Sequence, residues 1–415
     1  MGGKEQMEKN RVLIWGAGLR GKEAYRLFDR HNGYEVVAFG DNNKMLWGKT
    51  VCQKPIIGPM DVVKNKEIDS IFIASSYAEE IKLQLKELVD IPVFDNIDDL
   101  VIGRISIDIS GYCNAMCKWC VTGRKNRENS GRQALYMSYV EFVKVYEHLF
   151  QNGMIGKDTE IMLYNWGEPF LNKDYVHIIQ YLTDQEQNFA ISTNASKVTI
   201  LEHKDAYKHC STFIFSMPGF SQESYDRIHG FSFEQIKKNI KELCKNIKET
   251  GFTGSGMLSF HVYKFNKHEI GKAKEFAESL GLKFYCYYPY FAGNSMTEEY
   301  LENRMNEKMK AEAEQELYLS HVKELLSQRP SNHRCFLENI ICIDYDGSLA
   351  LCCASDRGCE NYIWGSIFDI KSLKELKSKR QEILKCNTCE KCRALGIDYW
   401  MEYNPLYREG DADES

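Results

Sequence analysis

Apolar and polar positions divide the chain into runs of two periods. Arg11 to Trp15 (RVLIW) is a short apolar run that breaks at GAGLRG. A helical pattern follows, with Ala24, Leu27 and Phe28 on one side. Tyr34 to Phe39, Ile68 to Ala74 and Ile91 to Phe94 read as further strands, and Glu80 to Leu88 as an amphipathic helix. Strands alternating with helices predict a small parallel sheet of about four strands.

A second series starts near Gly103. RISIDISGYC is a strand with turn chemistry at its end. Strands follow at Glu160 to Tyr164, Ala190 to Thr193, Thr212 to Ser216, Leu258 to Val262 and Lys283 to Tyr287. Helices are expected at Met137 to Phe150, Tyr175 to Gln185, Phe233 to Glu249 and Ile270 to Leu280. Six strands with helices between them predict a β/α barrel rather than a flat sheet. Residues 296 to 328 are highly charged and read as a connecting helix or pair, with Tyr318, Val322 and Leu325 on one stripe. The expected divisions are 1–100, 101–295, 296–330, 331–400 and a polar acidic tail, 401–415. The fold class is α/β.

Composition changes this picture at one point. With 43% hydrophobic and 27% charged residues the chain has material for several cores, and a net charge of −6 offers no footprint for nucleic acid or an anionic membrane. The polar start MGGKEQMEKNR is no signal peptide, and no run of 18 apolar residues occurs. A cytoplasmic location is therefore expected. The unusual number is 15 cysteines. In a reducing compartment these are not a disulfide framework, so metal or redox chemistry is the expectation.

Cys113, Cys117 and Cys120 form C-x3-C-x2-C directly after the first barrel strand. Three thiolates on one short loop can hold three irons of a [4Fe–4S] cube and leave the fourth open to a ligand. A structural zinc site would need a fourth ligand and usually shows paired C-x2-C spacing, so the spacing favours the cube. Trp119 suits packing, shielding of the cluster or contact with an adenine. Gly167, Glu168 and Pro169 follow the second strand: the glycine lets backbone approach a ligand, and the carboxylate can accept from an ammonium group. Ser192-Thr-Asn194 ends the third strand. Taken alone, each of these is an ordinary turn or cap.

Eight cysteines lie between Cys335 and Cys392. Asp344-Tyr-Asp-Gly347 predicts a hairpin turn that brings Cys335 and Cys352 toward one metal. Cys386, Cys389 and Cys392 are overlapping C-x2-C pairs. By spacing alone, zinc and an iron–sulfur cluster both fit. At the other end, Gly16, Gly18 and Gly21 match G-x-G-x-x-G between a strand and a helix, and Asp41 ends the next strand, suited to a ribose hydroxyl. Docking or dimerisation is the alternative role of this unit.

The cysteine loop with WGEP and Ser192–Asn194 resembles the radical S-adenosylmethionine (radical SAM) superfamily over about residues 103–290. The resemblance implies a partial (β/α)6 barrel. It places a [4Fe–4S] cluster on Cys113, Cys117 and Cys120 whose open iron chelates S-adenosylmethionine. Gly167 and Glu168 would lie near the methionine amino group, and Ser192 to Asn194 near the ribose. A Trp stands where many members have another Gly. The implied chemistry is one-electron cleavage to a 5′-deoxyadenosyl radical that takes hydrogen from a C–H bond. CFLENIICIDYDGSLALCC and the later C-x2-C are similar to the SPASM/twitch extension, which implies one auxiliary [4Fe–4S] cluster on Cys335, Cys352, Cys389 and Cys392, with Cys386 as the alternate ligand. Residues 1–100 resemble small Rossmann-like domains of sugar-modifying enzymes, implying NAD or a nucleotide-sugar as a ligand. The leading expectation is thus a radical SAM oxidoreductase acting on a small-molecule or nucleotide-linked sugar, by oxidation or epimerisation, with an electron donor such as flavodoxin or ferredoxin. Modification of a ribosomally made peptide is the second reading. A non-catalytic iron–sulfur redox sensor is the third, and the open-iron loop argues against it.

Overall fold

A computed structural model describes residues 9–128, 135–319, 335 and 337–392. The tail at 401–415 and residues 320–330, with Val322 and Leu325, lie outside them. The chain divides into two compact units. The first holds the described residues up to Gly103, with Lys144–Thr159 and Ile370–Ser378; the second holds Arg104–Val143, Glu160–Asp369 and the described residues from Lys379 onward.

In the first unit, β1 (Asn10–Trp15), α1 (Leu19–Asp29) and β2 (Tyr34–Gly40) open a Rossmann-like sheet. β3 (Thr50–Val51), β4 (Lys54–Ile57), α2 (Pro59–Lys64), β5 (Ser70–Ile73), α3 (Ala78–Lys86) and β6 (Val93–Phe94) complete it. The strand order is β3-β4-β2-β1-β5-β6, parallel except for the β3–β4 hairpin. Val12 to Trp15 are at most 1% exposed, as a central parallel strand covered on both faces requires. Six strands stand where about four were expected. The two extra ones flank a turn at Cys52 and Gln53, both at positive φ. Cys-Gln carries none of the Asn-Gly or Asp-Gly chemistry that announces such a turn.

In the second unit six parallel strands follow in order: β7 (Arg104–Ile107), β8 (Glu160–Met162), β9 (Phe189–Thr193), β10 (Cys210–Met217), β11 (Ser255–His261) and β12 (Lys283–Tyr287). The helices between them include Val121–Arg127 (here α4), Tyr175–Asp184 (α5), Phe233–Glu249 (α6) and Ile270–Ser279 (α7). α6 shows why these segments are helical. Ser232 caps it, accepting from the Gln235 backbone N–H, and Ile236, Ile240, Leu243 and Ile247 form its buried stripe. The sheet does not close through β12. Instead β13 (Ile341–Ile343) adds to the free side of β7 in parallel, with Ile341 opposite Ile105, and carries β14 (Ser348–Ala350) and β15 (Ile363–Ser366) antiparallel. The predicted turn is present: Gly347, at φ +82°, donates its N–H to the Asp344 carbonyl. Among the described residues the connector holds two helices, Asn294–Leu301 and Glu307–Glu316. Tyr318 lies past the second helix, with its ring 4.2 Å from that of Tyr288 in a tilted pair.

Candidate active site

The cysteine loop leaves β7 and runs into α4, and the fold grips it from several sides. Asn126 donates from its amide nitrogen to the carbonyls of Cys113 and Ala115, both at 2.7 Å. The Arg127 guanidinium donates to the carbonyls of Met116, Arg227 and Ile228. A Cβ on Gly123 would stand 2.3 Å from the Cys117 backbone nitrogen, so only glycine lets α4 lie against the loop. Ala292 donates its backbone N–H to the Trp119 carbonyl at 2.7 Å, which ties the loop to the segment after β12. Trp119 itself is 2% exposed, packs edge-on to Phe291 and donates its indole N–H to Glu316. It is a wall of the site.

The turn after β8 sits directly beside this loop. Gly167 passes so close to Ser110 that a Cβ would overlap the Ser110 carbonyl oxygen at 1.3 Å. Trp166 donates its backbone N–H to Asp108 at 2.9 Å, and Glu168 donates its own to the Tyr112 carbonyl at 2.9 Å. The Glu168 carboxylate is buried and already employed. It accepts from the Phe170 N–H, the Thr193 hydroxyl and the Asn194 N–H. Three of its roughly four lone-pair sites are therefore filled, and its chief structural act is to hold the end of β9. Pro169 begins the following short 3-10 turn. Asn194 so held points its amide at the Cys113 sulfur (3.7 Å) and at Asn114 (3.2 Å). An N–H aimed at a cluster thiolate is the kind of outer contact that tunes a metal site.

A cavity of about 510 Å³ is lined by Cys113, Cys117, Cys120, Gly167, Glu168, Ser192 and Asn194, among others. That size suits a cofactor-sized ligand. Burial pushes the Cys113 thiol up to about 12 and Cys117 well above its ordinary value, and the neighbouring charges of Glu168 and the other cysteines add to this. Thiolates buried in this way are stable only around a compensating cation, which is what an iron cluster would supply. Among the described residues no three His, Cys, Asp or Glu side chains converge on a single ion. A four-iron cube, wider than one ion, takes its thiolates spread around it. Three cysteine sulfurs on one short loop are the donor type and number that a cube with one open iron takes. Burial also raises Glu168 to about 7, opposed by the three hydrogen bonds it accepts.

The second cysteine group comes from distant segments. Cys352 lies just after β14; Cys386, Cys389 and Cys392 lie on or beside a short helix, Asn387–Lys391. Cys389 feels the charges of Cys386, Cys352 and Cys392, so these four are neighbours. Cys352 accepts from the Ser355 N–H (3.3 Å), and Cys392 from the Asn294 amide (3.3 Å). Cys335 precedes a turn in which the Glu338 N–H bonds its carbonyl at 3.1 Å.

In the first unit, Gly16, Gly18 and Gly21 shape the predicted loop, and a Cβ on Gly18 would meet nothing within 4 Å. Asp41 is partly engaged: it accepts from the Ala17 and Asn43 backbone N–H groups at 3.0 and 2.8 Å. A cavity of about 250 Å³ near this loop is lined by Arg20, Ala74, Ser75 and Asp95, among others.

Sequence reasoning found the cysteines and the turn but missed Gly123, Asn126, Asp108 and Asn114. Gly123 and Asn126 had a signal: both fall within one helical turn or two of the third cysteine, where a helix must touch the loop. No helix among the described residues is long and apolar enough to cross a membrane.

Three cysteines on one loop at the end of a barrel strand, with a glycine–glutamate turn beside them, border a cavity with room for a cofactor-sized ligand. Residues 107–277 match the radical SAM superfamily, and residues 8–93 match the family described as C2185-like, N-terminal. Residues 107–277 are thus a radical SAM domain, a domain whose cofactors are S-adenosylmethionine and a [4Fe–4S] cluster. None of the curated proteins matches it. Among solved structures it is similar to Streptococcus suis SuiB bound to precursor peptide SuiA (13% identity, 77% of this chain and 82% of that one, TM-score 0.45). It is similar to anSMEcpe with bound AdoMet (14%, 72% and 96%, TM-score 0.43). It is also similar to BtrN in complex with AdoMet and 2-DOIA (14%, 70% and 93%, TM-score 0.34).

Proposed function

We propose that this enzyme acts on a sugar or a nucleotide-linked carbohydrate and oxidises or epimerises one of its carbons. The observation that carries the reading is the lining of the 510 Å³ cavity, which includes Tyr164, Trp166, Tyr287 and Tyr290 with Asn165 and Ser216. Among its described lining residues there is no lysine or arginine. Aromatic faces suit the C–H faces of a sugar ring, and neutral donors and acceptors suit its hydroxyls.

Cys113, Cys117 and Cys120 would hold the cluster. The bound S-adenosylmethionine and the cluster's electron together supply a 5′-deoxyadenosyl radical for attack on an unactivated C–H bond. Gly167 lets the turn approach the ligand, Glu168 positions Asn194, and Trp119 with Phe291 keeps water out. The neighbouring Cys352, Cys386, Cys389 and Cys392 support one auxiliary cluster, with Cys335 on the preceding turn as the remaining candidate. Such a cluster would take the second electron from the substrate radical, completing a two-electron oxidation. A flavodoxin or ferredoxin would feed the first cluster, in a reducing cytoplasm. The open side of Gly18 and the cavity near Arg20 support NAD or a nucleotide-sugar in the first unit.

The test is anaerobic reconstitution, then incubation with S-adenosylmethionine, dithionite and a panel of sugars, nucleotide-sugars and peptides. The expected result is 5′-deoxyadenosine with a sugar that has lost two hydrogens or changed configuration. A modified peptide beside untouched sugars would overturn the carbohydrate reading.

A further inference from the structure

One side chain joins the cavity to the second cysteine group. Asn294 lines the 510 Å³ cavity and also one of about 240 Å³, which Cys392, Asn387 and Thr388 line as well. Its amide nitrogen donates to the Cys392 sulfur at 3.3 Å. The backbone on both sides holds this donor in place. The Asn294 N–H bonds the carbonyl of Ala354, two residues beyond Cys352, at 3.0 Å. Ser295 is bound twice to Asp356, which is 3% exposed: its N–H and its hydroxyl donate to the carboxylate at 3.0 and 2.9 Å. Gly293 takes φ +126°, and a Cβ there would stand 2.5 Å from Val121 and 2.8 Å from Asp356. Only glycine lets the chain enter the helix Asn294–Leu301 by this route. The Asn294 amide is therefore set against Cys392 by contacts that do not involve the cysteines.

We propose that Asn294 raises the reduction potential of the auxiliary cluster and so fits it to accept the electron that leaves the substrate radical. The inference rests on the auxiliary cluster read above from Cys352, Cys386, Cys389 and Cys392. Reduction adds one negative charge to such a cluster, and part of that charge falls on the ligating sulfurs. An N–H aimed at a ligating sulfur stabilises the reduced form more than the oxidised one, so the potential rises. The electron moves in a balanced step. The substrate carbon radical gives one electron to the cluster and its hydroxyl proton to water, and its C–O bond becomes a carbonyl. Asn294 acts through Cys392 and is a positioning residue.

The test needs no substrate. It is a redox titration, followed by electron paramagnetic resonance, of the full-length protein reconstituted anaerobically with iron and sulfide. Cys117→Ala is the common background, so that the auxiliary cluster alone gives the signal. Adding Asn294→Leu should shift the midpoint to a more negative potential, and adding Asn294→Ala should do the same. The two replacements differ in volume, and both lack the N–H. Electron–nuclear double resonance after exchange into D2O supplies a readout that a packing role would not move. The coupling of one exchangeable proton to the reduced cluster should disappear in both variants. Iron is counted in each protein. Midpoints equal to the background in both variants overturn the proposal, and so does a shift that leaves the proton coupling intact. Loss of the auxiliary iron from both variants also overturns it, because Asn294 would then be needed to assemble the cluster and not to tune it. Absence of any cluster signal from the Cys117→Ala protein would instead sink the auxiliary-cluster reading beneath it.

Discussion

The two cysteine groups of the second unit are built in opposite ways. The first places Cys113, Cys117 and Cys120 on one loop, and the surroundings fit that loop: Gly123 beneath it, Asn126 and Arg127 on its carbonyls, Asn194 on a sulfur. The second gathers Cys352 from a hairpin and Cys386, Cys389 and Cys392 from a later helix. A compact loop can be preorganised by local hydrogen bonds. A dispersed set depends on tertiary packing to bring its members together. The first arrangement suits a site that must hold an open position in fixed geometry, and the second suits a fully ligated store of electrons.

Breaking each group in turn should give the largest contrast. Cys117→Ala should abolish 5′-deoxyadenosine formation and remove about one cluster of iron, while circular dichroism shows the fold retained. Cys352→Ala should also lower iron by about one cluster but leave some cleavage of S-adenosylmethionine. Equal loss of cleavage in both would mean that the two sites are not separable.

A smaller effect is expected at Asn126. Asn126→Ala removes two hydrogen bonds to loop carbonyls, a loss of about 1–3 kcal/mol. It should lower the unfolding midpoint and speed the loss of iron from the first cluster during gel filtration. Iron retention equal to the wild type would show that the loop needs no such clamp.

The smallest effect concerns the contact between the groups. Asp108 lies under the Trp166–Gly167 turn, and burial, with the charge of Asp344 on the cysteine hairpin, raises its carboxyl from 3.8 to about 7. The folded protein therefore holds this proton at pH values where the unfolded chain has released it. The stability it lends is full below 3.8 and is lost as pH rises to about 7. His229 and His261, lowered by burial to about 3 and about 4, slope the other way below 6.5. Comparing wild type with Asp108→Asn isolates the carboxyl. The melting temperature of the wild type should fall more steeply than that of the variant as pH rises toward about 7.

The same contrast explains what could be read before the structure. The first group was legible because three ligands within eight residues follow a strand, and strand ends carry the chemistry of a barrel. The long helices were legible from period and cap, as Ser232 before Phe233–Glu249 shows. The choice among Cys335, Cys386, Cys389 and Cys392 was not, because it depends on where a hairpin docks. The β3–β4 hairpin was missed because Cys52 and Gln53 adopt left-handed backbone that their side chains do not favour. Glu168 lines the cavity, but its partners Thr193 and Asn194 come from the next strand and leave no local mark in the sequence.

The parallel pairing of β13 with β7 has a consequence for how the molecule is made. The first strand of the barrel is synthesised early, but its outer edge is covered only when Ile341–Ile343 arrives, after the whole barrel has emerged. Until then Ile105 and Ile107 belong to an open edge, the kind of surface that pairs with other chains. Contacts this distant in sequence form late and slowly. The cysteine-rich segment therefore also covers the barrel's first strand, and a chain that lacks it carries an open edge prone to aggregation in place of a covered one.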